Sequence, residues 1–358
     1  MGYLFWELRG YLRKMKIWDL SQSVTFSPGA WRSEAPFSID KGRVVALGYF
    51  DGVHIGHQRI MEAVCALAEG SCCIPAVHTF SGIPISKGLD CVTKERGFLL
   101  TMPEEKTQIL ERCGIAEVFL TPFDRVFCEL EPETFLDIYV REMMNAKAVV
   151  VGSDYRFGRV RAGDIHLLEA WGKKYDIPVK VVAPLCESGR TISSSWIRDC
   201  LAAGEAGLAN RLLGYPISYG GVVEKGYQLG RTMQFPTANS RIESGKVVPK
   251  FGVYVSAALI GGSLFRGISN IGLRPTMLRD EKSPLLETML YDVDADLYGK
   301  DIRVFLLDFV RPEMKFSSLD ALKTQVHADM RAGREFHGDF TTDSVVSYRE
   351  RLDELTIL

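Results

Sequence analysis

Residues 43–70 read RVVALGYFDGVHIGHQRIMEAVCALAEG. The stretch opens on a β-branched run, Val44 to Leu47, that suits a buried strand. It closes on a helical pattern in which Ile60, Val64 and Leu67 recur on one face. Between them stand Gly48, Gly52 and Gly56, which let backbone approach a ligand closely. His54 and His57, in the arrangement H-x-G-H, fall at the helix start. A helix N-terminus presents free N–H groups and partial positive charge, a setting for phosphate. Both imidazoles can donate to phosphate oxygens as charge grows during group transfer. The bland alternative is a turn with two surface histidines; placement on strand, loop and helix speaks against it.

The same alternation continues downstream. IPAVHTF (74–80), EVFLTP (117–122), AKAVVVG (146–152) and IPVKVVAP (177–184) read as strands, with helices over 103–114, 132–145 and 163–175 between them. Repeated strand–helix–strand units predict an α/β domain on a parallel sheet with right-handed crossovers. Ligands of such sheets sit at the carboxyl ends of the strands. Beyond Gly214 the texture changes to short β runs separated by Gly, Asn and Asp, which predicts antiparallel β, a small barrel or sandwich. An amphipathic helix closes it from about Ser318 to Ala332, with Leu319, Leu322, Val326 and Met330 on its apolar side. The expected division is an extension 1–40, domains 41–204 and 205–340, and a tail 341–358.

At 358 residues the chain is about twice a typical domain of ~100–200 residues. Apolar residues at 46% supply two cores and exclude a wholly disordered chain. The 43 Lys plus Arg against 45 Asp plus Glu leave −2, a balance that argues against wrapping duplex DNA or coating an acidic membrane. No run approaches the ~20 apolar residues of a membrane span. Glu7 and Arg9 interrupt any signal-peptide core, and Trp6 stands where a myristoylation signal after Gly2 needs Ser or Thr. The eight Cys form no Cys-x-x-Cys pair and are expected as reduced thiols. The expectation is a soluble cytoplasmic protein with no nucleic-acid or membrane partner; oligomeric state is not legible.

Two segments extend the first site. GSDYRFGRVRAGD (152–164) follows a strand and mixes Asp154, Arg156, Arg159 and Arg161 with glycine. Its Gly158-to-Gly163 spacing mimics a Walker A loop, but Asp164 replaces the lysine. TISSSWIRDCL (191–201) sets Ser193, Ser194 and Ser195 at a helix start with Arg198 one turn in, a set of donors for triphosphate oxygens. Capping explains one serine of the three.

In the second half, GVVEKGYQLGRTMQFPTANS (221–240) packs glycines around Arg231, Thr237 and Asn239. Thr237 and Asn239 offer neutral oxygens suited to Mg²⁺. On spacing alone, a Gly-rich hairpin with a Pro turn is equally good. If 285–291 is a strand, Glu287 lies on the face opposite Leu286 and Thr288, a lone carboxylate able to take a proton from an attacking alcohol. Asp292, Asp294 and Asp296 suggest a calcium loop, but Leu297 and Arg303 occupy the positions that need Gly and Glu.

H-x-G-H occurs in nucleotidylyl transferases and in class I aminoacyl-tRNA synthetases. The second synthetase signature, K-M-S-K-S, has only an echo here, Lys315 to Ser318, where capping by Ser317 or Ser318 is the better explanation. GYFDGVHIGH (48–57), GSDYRFGRVRAGD and ISSSWIR (192–198), in this order, resemble the adenylyltransferase half of bacterial bifunctional riboflavin kinase/FAD synthetases. GRTMQFPTAN (230–239), FGVYV (251–255), SNIGLRPT (269–276), LETMLYDVDADLYGK (286–300) and RPEMKFSSLDALK (311–323) resemble the riboflavin kinase module.

The resemblance implies a Rossmann-like nucleotidylyltransferase domain followed by a six-stranded antiparallel β-barrel with a C-terminal helix. Riboflavin is phosphorylated to FMN in the second and FMN adenylylated to FAD in the first, both with ATP. It implies ATP at Gly48, Phe50, Asp51, His54, His57, Asp154, Arg156, Ser194, Ser195 and Arg198. In the kinase half it implies ATP and flavin at Gly226, Gly230, Arg231, Pro236, Thr237, Asn239, Asn270 and Arg274, with Asn270, Gly272 and Arg274 in a loop. Thr237 and Asn239 then hold Mg²⁺, and Glu287 activates the ribityl hydroxyl. The chain departs from the family pattern at Ser81 to Pro84, usually Asp-Pro-His-Pro, at Tyr49, often Asn, at Trp196, often Arg, and at Gln234, where Gly is common. The rival readings are a chain retaining one of the two activities, and a flavin- or RNA-binding regulator on this scaffold.

Overall fold

Six parallel strands make the floor of the first unit: β1 (Lys16–Asp19), β2 (Arg43–Leu47), β3 (Ile74–Phe80), β4 (Glu117–Thr121), β5 (Ala146–Gly152) and β6 (Val179–Val182). The computed structural model describes residues 15–20, 24–27, 30–33, 41–82, 98–224, 237–273, 284–293 and 296–338. They fall into two compact units, residues 1–87 with 103–186, and residues 88–102 with 187–358.

The strand order is β1-β4-β3-β2-β5-β6, all in parallel register. The alternation of β-branched residues builds a core on each face. Val44, Ala46, Val77, Val118 and Val150 pack with Ile60, Met61 and Val64 of α1 (Ile55–Ser71) and Leu110 of α2 (Pro103–Arg112). Val45, Leu47, Phe119, Val149 and Val151 pack with Leu136, Tyr139 and Met143 and with Leu168 and Trp171 of α3 (Ile165–Tyr175). Each Val, Leu, Ile, Phe or Met side chain so buried contributes about 1.5–3 kcal/mol.

Two expectations change here. Leu67 is 39% exposed and Ala68 takes its place in the core, because the buried stripe of α1 drifts with the 3.6-residue turn. The helix over 132–145 is α-helical only at Pro132–Phe135 and continues as a π-helix, Leu136–Met143. Met144 N–H reaches back five residues to the Tyr139 carbonyl. Chain order runs from β2 outward through β3 and β4, then returns to the other side of β2 with β5. That reversal opens a crevice at the carboxyl ends of β2 and β5.

In the second unit, α4 (Ser194–Ala203) and α5 (Ala206–Leu213) precede the barrel. Six strands follow: β7 (Ser218–Val222), β8 (Thr237–Arg241), β9 (Gly252–Ile260), β10 (Ser263–Gly272), β11 (Leu285–Leu290) and β12 (Asp301–Pro312). They are antiparallel in the order β7-β12-β9-β10-β11-β8. Glu224 N–H donates to the Asn239 carbonyl at 2.7 Å, which brings the two end strands together and all but closes a barrel. Inside it, Ser269 Oγ donates to Ser256 Oγ at 2.8 Å and pairs with Thr288 Oγ1 at 2.9 Å, so these buried hydroxyls satisfy one another.

Outside the barrel, α6 (Leu319–Gly338) lays Val326 and Met330 over Val253, Ile268, Met289 and Tyr291. It runs past Ala332, and Leu319 is 61% exposed rather than on the apolar side. Ser318 caps it, accepting from Ala321 N–H at 3.1 Å. Strand β8 is held extended because β11 supplies it a ladder partner, while Gly226, Gly230 and Pro236 of the hairpin reading lie outside the described residues. Among the described residues no helix is long and apolar enough to cross a membrane.

Candidate active sites

The turn after β2 is built on tight backbone. Phe50 and Val53 hold positive φ, 49° and 33°, and Gly52 sits at 77°. Such conformations cost non-glycine residues on the order of 1–3 kcal/mol each and gather where function over-determines the backbone. The Phe50 ring folds back over Gly48; a Cβ there would stand 2.6 Å from it. A side chain at position 48 would have to push that ring aside.

This turn delivers His54 as the N-cap of α1. Its Nδ1 accepts from His57 N–H at 3.3 Å, so neutral His54 carries its proton on Nε2 and presents a donor there. The two imidazoles stack at 3.6 Å between centroids, and the Phe50 edge meets His57 at 5.2 Å. His57 Nδ1 is buried without a hydrogen-bond partner among the described residues. Burial lowers the His54 pKa to about 4. Burial, then the charge of His54 and that of Lys106, holds His57 well below the ordinary range. Both are therefore neutral donors at pH 7 until an anion arrives.

Asp51 is buried on the same turn, 1% exposed. At the carboxyl end of β5, Asp154 is exposed beside Gly152. Arg156 pairs with Asp164 at 3.6 Å, and Asp164 caps α3 by accepting from Leu167 N–H at 3.0 Å. The residue that defeats the Walker pattern is thus a helix cap. The loops after β2 and β5 flank the crevice where strand order reverses, so Gly48, Phe50, Asp51, His54, His57, Asp154 and Arg156 share one end of one sheet.

Two features of this end were not singled out in the sequence. Tyr49, Phe80, Phe123, Phe127, Phe135 and Tyr139 form a chain of ring contacts at 4.5–6.4 Å around His78. His78 is fully buried, pairs with Thr121 Oγ1 at 2.8 Å, and has its pKa lowered to about 3 by burial. The rings are scattered over 49–139, so no local period marks them. The second feature is Lys106, 2% exposed on α2. The departures at Tyr49 and at 81–84 also prove to be neighbours: Tyr49 Oη donates to the Gly82 carbonyl at 2.7 Å.

In the second unit, Ser193 is the cap of α4, accepting from Trp196 N–H at 3.3 Å, and Ser194 and Ser195 occupy its first turn. Arg198 donates through Nε to the Phe98 carbonyl at 2.7 Å and lies 4.0 Å from that ring centroid.

The barrel assembles its residues by register. Asn239 on β8 is opposite Glu287 on β11, and Glu287 is opposite Asn270 on β10. Ladder partners share a face, so these three side chains form one row. Thr237 faces Met289 one step along the same face. Asn239 Oδ1 is buried with no hydrogen-bond partner among the described residues. An unpaired carbonyl oxygen beside a carboxylate suits a hard divalent cation, so Mg²⁺ fits this donor set. Asn270 and Gly272 lie within strand β10, which corrects their expected place in a loop. Glu313, not anticipated from sequence, lies against Gly272 of β10 and close enough to Glu287 to feel its charge. Its carboxyl pKa is raised, first by burial and then by the charge of Glu287. Gly226, Gly230, Arg231, Pro236 and Arg274 lie outside the described residues.

Two family models divide the chain between them: FAD synthetase matches residues 37–196, and riboflavin kinase matches 213–337. A bifunctional riboflavin kinase/FMN adenylyltransferase from Escherichia coli is 36% identical over 307 residues, 86% of this chain and 95% of that one. The chain belongs to the bifunctional riboflavin kinase/FMN adenylyltransferase family. Its Bacillus subtilis relative of the same description is 35% identical over 290 residues, 80% of this chain and 90% of that one. A crystal structure described as a macrolide-efflux protein from Streptococcus pneumoniae superposes with TM-score 0.76 at 31% identity, over 84% of this chain and 96% of that one. The protein is thus a bifunctional transferase that makes FMN from riboflavin and FAD from FMN, with ATP as co-substrate of both steps.

Proposed function

We propose that adenylyl transfer takes place on the His54–His57 turn and riboflavin phosphorylation on the Asn239–Glu287–Asn270 row. In the first, an FMN phosphate oxygen attacks the α-phosphorus of ATP and pyrophosphate leaves. His54 Nε2–H and the N-terminus of α1 donate to the α-phosphate oxygens as their charge rises. Asp51, Asp154 and Arg156 border the nucleotide. The aromatic cluster beside Tyr49 offers a stacking wall for the flavin ring.

In the second, Glu287 takes the proton of the ribityl hydroxyl as it attacks the γ-phosphorus of a second ATP, whose bridging P–O bond breaks to release ADP. Thr237 and Asn239 would hold Mg²⁺, which when bound neutralises charge on the transferring phosphoryl group. Asn270 orients the alcohol from the other side of Glu287. Gly226, Gly230, Arg231, Pro236 and Arg274 complete the ATP and flavin contacts.

The observation that carries this division is that the histidine pair and the Glu287 row belong to different compact units. Complementation tests it. Glu287→Ala and His57→Ala proteins, each with riboflavin, ATP and Mg²⁺, make no FAD alone and make it when mixed, because FMN diffuses between them. Failure of the mixture, with both proteins folded, would place the two residues in one site. FMN formation undiminished by a chelator would remove Mg²⁺ from Thr237 and Asn239.

A further inference from the structure

Lys106 sits in the first turn of α2 with its ammonium sealed from water. Nζ donates to the Tyr49 carbonyl at 3.1 Å, the Phe80 carbonyl at 3.1 Å and Thr79 Oγ1 at 3.4 Å, which spends all three of its protons. Thr79 Oγ1 itself donates to the Tyr49 carbonyl at 2.8 Å. Nζ also lies 4.8 Å from the Tyr49 ring centroid. One cation therefore ties the backbone leaving β2 to the backbone leaving β3. Sealing an ammonium from water is costly, and a methionine would fill the same volume without that cost. A charge kept at such a place needs a use. The charged or titratable groups that act on it are Asp51, which attracts it, and His57, which its charge disfavours from protonating.

We propose that Lys106 is a positioning residue of adenylyl transfer, fixing the GYFDG turn (48–52) to the ends of β2 and β3 and supplying positive charge next to the His54–His57 pair. This rests on the reading of that pair as the adenylyl-transfer site. The peptide whose carbonyl Lys106 holds leads straight into Phe50, the first residue of the turn with positive φ. As charge grows on the α-phosphate, an ammonium in a dry surrounding stabilises it far more than it would in water. Burial lowers the Lys106 pKa to about 8, so the charge is present at pH 7 and lost above about pH 8.

The test uses the full-length protein and measures FAD formation from supplied FMN and ATP. Lys106→Met should lower kcat and kcat/KM together by ~10²-fold, with KM changed less than about threefold, the mark of an interaction made in the transition state. Lys106→Arg, which keeps the charge, should recover at least about a tenth of the rate. The wild-type kcat/KM should fall above about pH 8, and that alkaline limb should be absent from Lys106→Arg, whose guanidinium does not deprotonate. A merely structural lysine would leave no such limb to move.

Wild-type turnover by Lys106→Met, or an alkaline limb that persists in Lys106→Arg, overturns the proposal. If both variants fail to fold, the wild-type profile decides: a fall near pH 8 supports the proposal and a level profile to about pH 9.5 overturns it. His57→Ala measured in parallel separates the two readings. If it makes FAD at the wild-type rate, the adenylyl site itself is misassigned. If it stalls while Lys106→Met does not, only the role of Lys106 fails.

Discussion

The two units gather their chemistry by different devices. In the α/β unit, residues far apart in sequence meet because loops leave neighbouring strands at one end of a sheet, and a strained turn then aims them. In the barrel, Asn239, Glu287 and Asn270 meet because antiparallel register puts them opposite one another on straight strands. The first device encloses its titratable groups, so three histidines, 54, 57 and 78, are pushed toward the neutral form by burial. The second keeps Glu287 half-buried, with a neutral carboxamide opposite it on either neighbouring strand. A loop site can exclude water from its donors; a ladder site fixes the spacing between its side chains.

That contrast can be broken most severely at Glu287. Glu287→Ala should lower FMN formation by ~10²–10⁴-fold, the usual worth of a general base, while FAD formation from supplied FMN stays near wild type. Equal loss of both activities in folded protein, followed by chromatography of the flavins, would collapse the two sites into one.

His57→Ala should reverse the pattern. Riboflavin should be phosphorylated normally and FMN should accumulate, with adenylylation down by ~10²–10³-fold and nucleotide affinity little changed. FAD synthesis at the wild-type rate would reduce His57 to a turn residue.

Acid should separate the units by stability. The folded His54 value of about 4 lies below its ordinary 6.5, so the unfolded chain binds the proton first. The stability held above about pH 6.5 is therefore lost as pH falls toward about 4, on the order of 3 kcal/mol from His54 alone. His78 adds a loss of the same sign down to about 3. The second unit has His337, on α6, shifted the same way, first by burial, against three such histidines in the α/β unit. Hydrogen exchange at pH 5 should thus lose protection in β2–β5 before β9–β12; simultaneous loss would erase the distinction.

The smallest effect is expected at the metal. Asn239→Ala should raise the Mg²⁺ concentration for half-maximal FMN formation by about tenfold, the scale of one charged contact, and leave the Mg²⁺ dependence of adenylylation unmoved. A parallel shift in both steps would point to coupling between them.

Much of this was legible in the chain, and the misses have physical causes. The strand, turn and helix over 43–70 were readable because period-2 and period-3.6 patterns are local. Strand β8 was not, since Thr237, Ala238 and Asn239 have little strand preference and are held extended by pairing with β11. The π-helical winding of 136–143 and the exposure of Leu67 depend on what packs alongside.

Sequence by itself determined the two architectures and the order of the domains, because hydrophobic period and turn chemistry act over a few residues. Only the tertiary structure decided that Asn239, Glu287 and Asn270 share a row, that Glu313 lies close to Glu287, and that Arg198 is engaged by Phe98. It also decided that Lys106, unremarkable among the charges of an amphipathic helix, is a sealed cation joining two strand ends. Burial and register are properties of contacts between distant segments, and no local pattern encodes the dielectric around a side chain or the residue it will face.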